Sequence, residues 1–145
     1  MSTIVLDTER SRVSEVNNME RLLLSEGEWK IMNALWDEHP ICLMELVKKL
    51  EPDTGWSKST VFVMMKRLVS KEAVSVDTSG KVQLYTPIIK RSEAADRETG
   101  SFLSRVYNGS VGMMLSALAG QKSLSRSDIA ELRHILDEAE EKLDN

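Results

Sequence analysis

The sequence predicts a mainly α-helical chain carrying one small β-hairpin, and three observations predict it. Apolar residues recur at helical spacing in three short segments between residues 25 and 71. The period then drops to two between residues 73 and 85, and a second helical stretch ends in a heptad-spaced apolar row at 129–143. The expected division is a flexible N-terminal extension over residues 1–23, a first domain over 24–89 and a helical domain over 90–145.

The totals agree with such a chain. A length of 145 residues suits one domain or two small ones, and 41% hydrophobic with 29% charged residues is a globular, soluble balance. The apolar runs are too short for a membrane span and no secretory pattern opens the chain, so a cytoplasmic protein without membrane insertion is expected. A formal charge of −4 argues against a nonspecific coat for nucleic acid, yet leaves room for a specific reader with a local basic surface. The single Cys42 excludes an internal disulfide framework and a cysteine-cluster metal site; between Ile41 and Leu43 it reads as a small buried hydrophobe.

Taken in order, Met19 to Leu24 forms a short apolar patch after a polar stretch whose role is not legible. Ser25 and Glu28 make a capping box, with Leu24 and Trp29 placed as a hydrophobic staple. That helix should run to about Glu38 with Trp29, Met32, Leu35 and Trp36 inward, and end at His39-Pro40. Ile41-Cys42 fits a very short strand. Met44 to Leu50 reads as a second helix with Leu46, Val47 and Leu50 inward and Lys48 and Lys49 outward; residues 51–55 then turn.

Ser57 is the N-cap of a third helix that runs to Lys71. Val61, Met64, Met65 and Leu68 form its apolar stripe, while Ser59, Phe62, Val63, Lys66 and Ser70 lie opposite, with Lys58, Thr60 and Arg67 on the shoulders. Four cations and no carboxylate fall between Ser57 and Lys71, in a chain that is acidic as a whole. A packed back, a cationic front and short side chains near the N-terminus suit the major groove of DNA. An ordinary solvated amphipathic helix shows the same pattern, so the flanking segments decide.

Behind it, residues 73–77 and 81–85 alternate apolar and polar side chains around Thr78-Ser79-Gly80, which predicts a hairpin closed by Pro87. Three helices and a hairpin, with the third helix cationic, is the order of a winged helix-turn-helix, with Lys81 beside the tip of the wing. From Lys90 to Ala119 a long helical segment has Phe102, Val106, Met113, Met114 and Leu118 on one face, interrupted by Gly109 and Gly112. Leu124 to Ile129 repeats the capping logic with Ser125 and Asp128, and Ile129, Leu132, Leu136, Ala139 and Leu143 follow as an a/d seam. These helices make too small a core to stand alone. A second copy of the chain is the simplest partner; packing back onto the first domain is the alternative.

The candidate DNA-binding residues are therefore Ser57, Lys58, Ser59, Thr60, Phe62, Val63, Lys66, Arg67 and Lys81, with Ser59, Thr60, Phe62 and Val63 nearest the bases. The candidate dimerisation residues are Phe102, Val106, Met113, Met114, Leu118, Ile129, Leu132 and Leu136. The partners expected are a double-stranded DNA operator with dyad symmetry and a second copy of the chain; no cofactor is expected.

With those residues in place the chain resembles the penicillinase-repressor and methicillin-resistance-repressor family of bacterial transcription regulators. The resemblance rests on Leu24 to Trp29 with Trp36, Trp56-Ser57, Thr60-Val61, Arg67-Leu68, Lys71 and Tyr85-Thr86-Pro87. It continues through Phe102-Leu103, Arg105-Val106-Tyr107, Gly109-Ser110, Leu124-Ser125 and Glu131-Leu132. It implies a dimeric winged-helix repressor at a palindromic operator, released in the members tied to β-lactam resistance when a membrane sensor-protease, or a protease downstream of it, cuts the dimerisation region. The bond aligned with their Asn-Phe cleavage site is Ser101–Phe102, with Ser101 in place of Asn. Phe62 and Val63 stand where those members often carry Arg and Thr, which implies a different operator. The Cys-x-Cys pairs of the copper-responsive branch do not occur in this sequence.

Two other function classes compete. A winged helix that binds protein instead of DNA fits the exposed Phe62 and Val63 and the net acidity; a ligand-responsive regulator would use Met113, Met114 and Tyr107 around a pocket at the dimer junction. An enzyme is not expected, because neither His39 nor His134 has a nucleophile or a metal-ligand partner at the required spacing.

Overall fold

The computed structural model describes residues 23–121 and 123–145, so the expected extension lies, Leu23 apart, outside the described residues. The first helix, α1 (Glu26–Asp37), opens on the capping box: Glu28 N donates to Ser25 Oγ at 3.2 Å and Ser25 N donates to the Glu28 carboxylate at 2.9 Å. Glu28, Ile31, Met32 and Leu35 form its buried stripe. Trp29 and Trp36, expected inward, are instead half-buried at the margin of the core, ring centres 5.9 Å apart and edge to face. At ~100° per residue, positions 28, 31, 32 and 35 point one way and 29 and 36 flank them.

A two-residue strand, β1 (Ile41–Cys42), leads into α2 (Leu43–Thr54). The second helix was expected to stop at Leu50 and turn at Pro52; it runs four residues further, with Pro52 inside it. In the last turn proline removes a single donor, and Gly55 ends the helix, left-handed at φ 63°, its N–H donating to Glu51 O at 2.9 Å. Leu46 and Leu50 are buried with Val47 packed beside them. Lys49 reaches back to Asp37 at 2.7 Å and Glu38 at 3.4 Å.

The third helix, α3 (Lys58–Ser70), has Ser57 as N-cap, accepting from Thr60 N at 3.3 Å. Its stripe Val61, Met65 and Leu68 is fully buried, with Met64 half-buried. A Schellman turn ends it: Ala73 N donates to Leu68 O and Glu72 N to Val69 O, with Glu72 at φ 62°.

Two longer strands follow, β2 (Val74–Asp77) and β3 (Leu84–Pro87), and the antiparallel sheet has the order β1-β3-β2. The hairpin is present but its second strand starts three residues later than expected. Asp77 pairs with Leu84, so Lys81, Val82 and Gln83 belong to the loop, and Pro87 pairs with Val74 instead of closing the hairpin. Alternation at 81–83 has no face to cover there: all three side chains are exposed. Asp77 begins the loop by accepting from Ser79 N at 2.9 Å and Ser79 Oγ at 2.7 Å, bonds that hold its carboxyl below the usual carboxylate range.

The first compact unit ends at Ser101, beyond residue 89, because the opening turns of α4 (Arg91–Tyr107) belong to it and Ala94 is buried in its core. Trp36 Nε1 donates to Ile89 O at 2.9 Å, and the Arg91 guanidinium sits 5.3 Å from the Trp36 ring. The second unit, Phe102–Asn145, holds the end of α4, then α5 (Val111–Gln121) and α6 (Arg126–Asp144). The single segment expected over 90–119 is thus two helices, parted by Asn108 at φ 48° and Gly109 at φ 83°. Gly112 lies inside α5. Ser125 and Asp128 form the expected box, each bond 3.0 Å. Among the described residues no helix is long and apolar enough to cross a membrane.

Candidate nucleic-acid interface

The outward face of α3 presents Lys58, Ser59, Thr60, Phe62, Val63, Lys66, Arg67 and Ser70, all exposed. Ser57 Oγ lies 3.1 Å from both Ser59 Oγ and Thr60 Oγ1, so three hydroxyls cluster over the helix start. Phe62 and Val63 are 39% and 49% exposed, large apolar surfaces on a solvent face. The Lys66 ammonium stands 5.3 Å from the Phe62 ring centre. Two shallow clefts border this face, one lined by Leu43, Ser57, Lys58, Ser59 and Phe62, the other by Val63, Lys66, Arg67, Ser70 and Lys71. No carboxylate is among these lining residues. Lys81 is exposed in the loop between β2 and β3.

One of the four cations counted from the sequence is used elsewhere. Lys71 Nζ lies 2.6 Å from Glu28 Oε1 and donates to Leu23 O at 3.1 Å. Glu28 is 2% exposed. Burial pushes its carboxyl up, but the bonds from Lys71 and Ser25 outweigh this and hold it below the ordinary range. The Glu28–Lys71 pair was not anticipated. Glu28 showed only as a local cap, and nothing local in the sequence links two residues 43 positions apart.

The residues expected to join two copies remain largely uncovered within the second unit. Phe102, Val106, Met113, Leu118, Ile129 and Leu136 are 40–61% exposed, while Met114 and Leu132 are half-buried. No described residue of α5 or α6 is buried. Between these two helices runs an apolar groove walled by Leu115, Leu118, Leu124, Leu132, Ile135 and Leu136. Ile135, 51% exposed, falls outside the heptad count and was missed for that reason. Phe102 and Tyr107 pack edge to face at 5.9 Å. The Ser101–Phe102 bond lies within α4, with Ser101 9% exposed. His39 Nδ1 is 2.7 Å from Leu35 O, and His134 Nε2 is 3.1 Å from Glu138 Oε1 on the surface of α6.

The profile of the penicillinase repressor family matches residues 24–138. A penicillinase repressor of Bacillus licheniformis is 34% identical over 115 residues, covering 79% of this chain and 90% of that protein. The methicillin resistance regulatory protein MecI of Mammaliicoccus sciuri is 24% identical over 113 residues, 78% of this chain and 92% of that one. Among solved structures, the Bacillus licheniformis BlaI monomeric form in complex with the blaP half-operator is 33% identical, over 48% of this chain and 85% of that one, with a TM-score of 0.44.

Proposed function

The chain belongs to the penicillinase repressor family, and we propose that it is a dimeric, sequence-specific DNA-binding transcriptional repressor acting at a palindromic operator. The observation that carries this reading is the outward face of α3, where Lys58, Lys66 and Arg67 surround hydroxyl and apolar side chains and no carboxylate lines the flanking clefts. In a major groove the cations hold phosphates and fix the register, Ser59, Thr60, Phe62 and Val63 lie at the base edges, and Lys81 reaches a phosphate from the wing.

The uncovered apolar row on the second unit supports dimerisation. A two-fold pair sets its α3 helices about one DNA turn or a small multiple apart, which calls for a dyad-symmetric site. Cutting Ser101–Phe102 would part the DNA-reading unit from the joining unit and cancel the mutual linkage of the half-sites. Because Ser101 is buried within α4, a protease reaches that bond only after the turn around it opens. The partner for that step is a sensor-protease or a protease it activates.

The test is a gel-shift titration of purified protein on DNA from its own promoter regions, against competitor DNA, at several salt concentrations. A complex that survives competitor and weakens with salt is expected, and Lys66→Ala with Arg67→Ala should lower the salt slope by about two per protomer, about four for the dimer. Absence of any competitor-resistant complex, or a double variant that binds like the parent, would overturn the reading.

A further inference from the structure

We propose that the cleft between Leu43 and Phe62 is a base-reading subsite that takes the C5 methyl of a thymine, so that one position of each half-site is read through that methyl alone. The inference rests on the reading of α3 as the major-groove helix and deepens it. The cleft opens where the first residue of α2, Leu43, faces the second turn of α3, and Ser57, Lys58 and Ser59 complete its lining. Leu43 and Phe62 give it hydrocarbon, and Ser57, Ser59 and Lys58 give it hydroxyls and an ammonium.

Phe62 has neither donor nor acceptor, and it is 39% exposed in the midst of this polar rim. The one apolar group that any base pair shows in the major groove is the thymine methyl. Against the ring, the exposed N7, O6 and N4 groups of a G·C pair would lose water without gaining a partner. The ring is also held in place. Lys66, one helical turn on, stands 5.3 Å from its centre and steadies it from one side. The neighbouring hydroxyls already hydrogen-bond one another: Ser57 Oγ takes the Thr60 N–H and contacts the Ser59 and Thr60 hydroxyls at 3.1 Å. At this spot the apolar ring is therefore the reading group. Lys58 on the rim and Lys66 beside the ring select a polyanion over an apolar peptide as occupant.

The experiment starts from duplexes that the purified full-length protein selects from random-sequence DNA. Each thymine of the selected site is replaced singly by deoxyuridine, which removes the methyl and keeps every hydrogen-bonding group. At one position per half-site the loss is expected to weaken binding about fourfold, the value of one buried methyl. Deoxycytidine at that position should bind more weakly than 5-methyldeoxycytidine, since the methyl, not the base, is read. Phe62→Ala, folded by circular dichroism and with the parent salt slope, should abolish both differences, and Phe62→Leu should retain part of them. Tolerance of deoxyuridine everywhere, or an undiminished methyl effect in Phe62→Ala, would overturn the subsite and leave the α3 reading standing. Failure to select any preferred sequence would overturn both.

Discussion

Lys71 closes α3 by reaching back to Glu28, 2.6 Å from Nζ to Oε1, and so fastens the far end of the third helix to the first turn of α1. The pair is inward on one side, Glu28 being 2% exposed and Lys71 23%. Removing one partner leaves a buried charge without its counterpart. Lys71→Met is expected to destabilise the protein by about 3 kcal/mol, seen as a lower urea midpoint with an unchanged m-value. Glu28→Gln combined with Lys71→Met should recover part of that loss. Since the Lys71 ammonium is engaged by Glu28 and Leu23 O, Lys71→Met should leave the salt slope of DNA binding as it is, in contrast to Lys66→Ala.

The same pair sets an acid limit. The Glu28 carboxyl titrates below its unfolded value despite burial, because Lys71 and Ser25 donate to its charged form. A depressed carboxylate contributes stability that is fully present above the unfolded pKa and is lost as pH falls through the folded one. Stability measured by urea at successive pH values should therefore fall from about pH 4.3 downward, and the fall should be shallower in Glu28→Gln. An equally steep loss in that variant would assign the acid sensitivity to other carboxylates.

Ser57 lets helix capping be tested apart from the proposed DNA contact. It caps α3 through Thr60 N at 3.3 Å, and its side chain lines the cleft beside Lys58. Ser57→Ala should cost about 1 kcal/mol of stability. Ser57→Asp keeps the cap and suits the helix dipole, yet sets a carboxylate beside Lys58, on the face proposed to hold phosphates. Thermal melts should show Ser57→Asp close to the parent, while gel shifts show it binding DNA at least tenfold more weakly. Parent-like binding by Ser57→Asp would place the DNA contacts elsewhere.

Local signals carried much of this architecture. Both capping boxes, Ser25 with Glu28 and Ser125 with Asp128, are written within four residues and form as expected. The buried stripe Val61, Met65 and Leu68 follows from helical spacing, as does the exposed front of α3. What was missed is partly a local signal read as a stop and partly the effect of distant partners. Pro52 reads as a stop, but Gly55 supplies the left-handed residue that ends the helix. Residues 81–83 alternate like a strand, but β2 ends at Asp77 and leaves them nothing to pair with. Lys71 counts in the sequence only as one of four cations of the segment, because its partner lies on another helix.

Trp36 ties α1 to the segment entering α4, with its indole N–H on Ile89 O at 2.9 Å and its ring 5.3 Å from the Arg91 guanidinium. Trp36→Phe keeps an aromatic ring and removes the donor. The expected cost is about 1–2 kcal/mol, from the unsatisfied carbonyl and a weaker cation–ring contact. Arg91→Ala alone should cost less, about 0.5 kcal/mol. Comparing the urea midpoints of the two variants checks the order; a larger effect from Arg91→Ala would make the cation, not the hydrogen bond, the main tie.

Joining two copies through the second unit has its clearest test at Leu132. This residue is half-buried on the groove wall, between Ile129 at 40% and Leu136 at 57% exposure on the same seam. The 11-residue α5 that walls the groove beside it is marginal in water without a packed face. Covering the seam with its two-fold copy would bury the apolar side chains that each unit leaves open. Leu132→Asp sets a charge in that contact. By sedimentation equilibrium the parent should be a dimer and the variant a monomer at micromolar concentration, with reduced helical circular dichroism. The first unit has its own core of Ile31, Met32, Leu46, Met65 and Leu68, so it should stay folded and bind a half-site. Affinity for the full palindrome should drop about a hundredfold, because the second half-site is no longer held close by the first. A parent that sediments as a monomer, or a Leu132→Asp protein that remains dimeric, would refute the assignment of this seam.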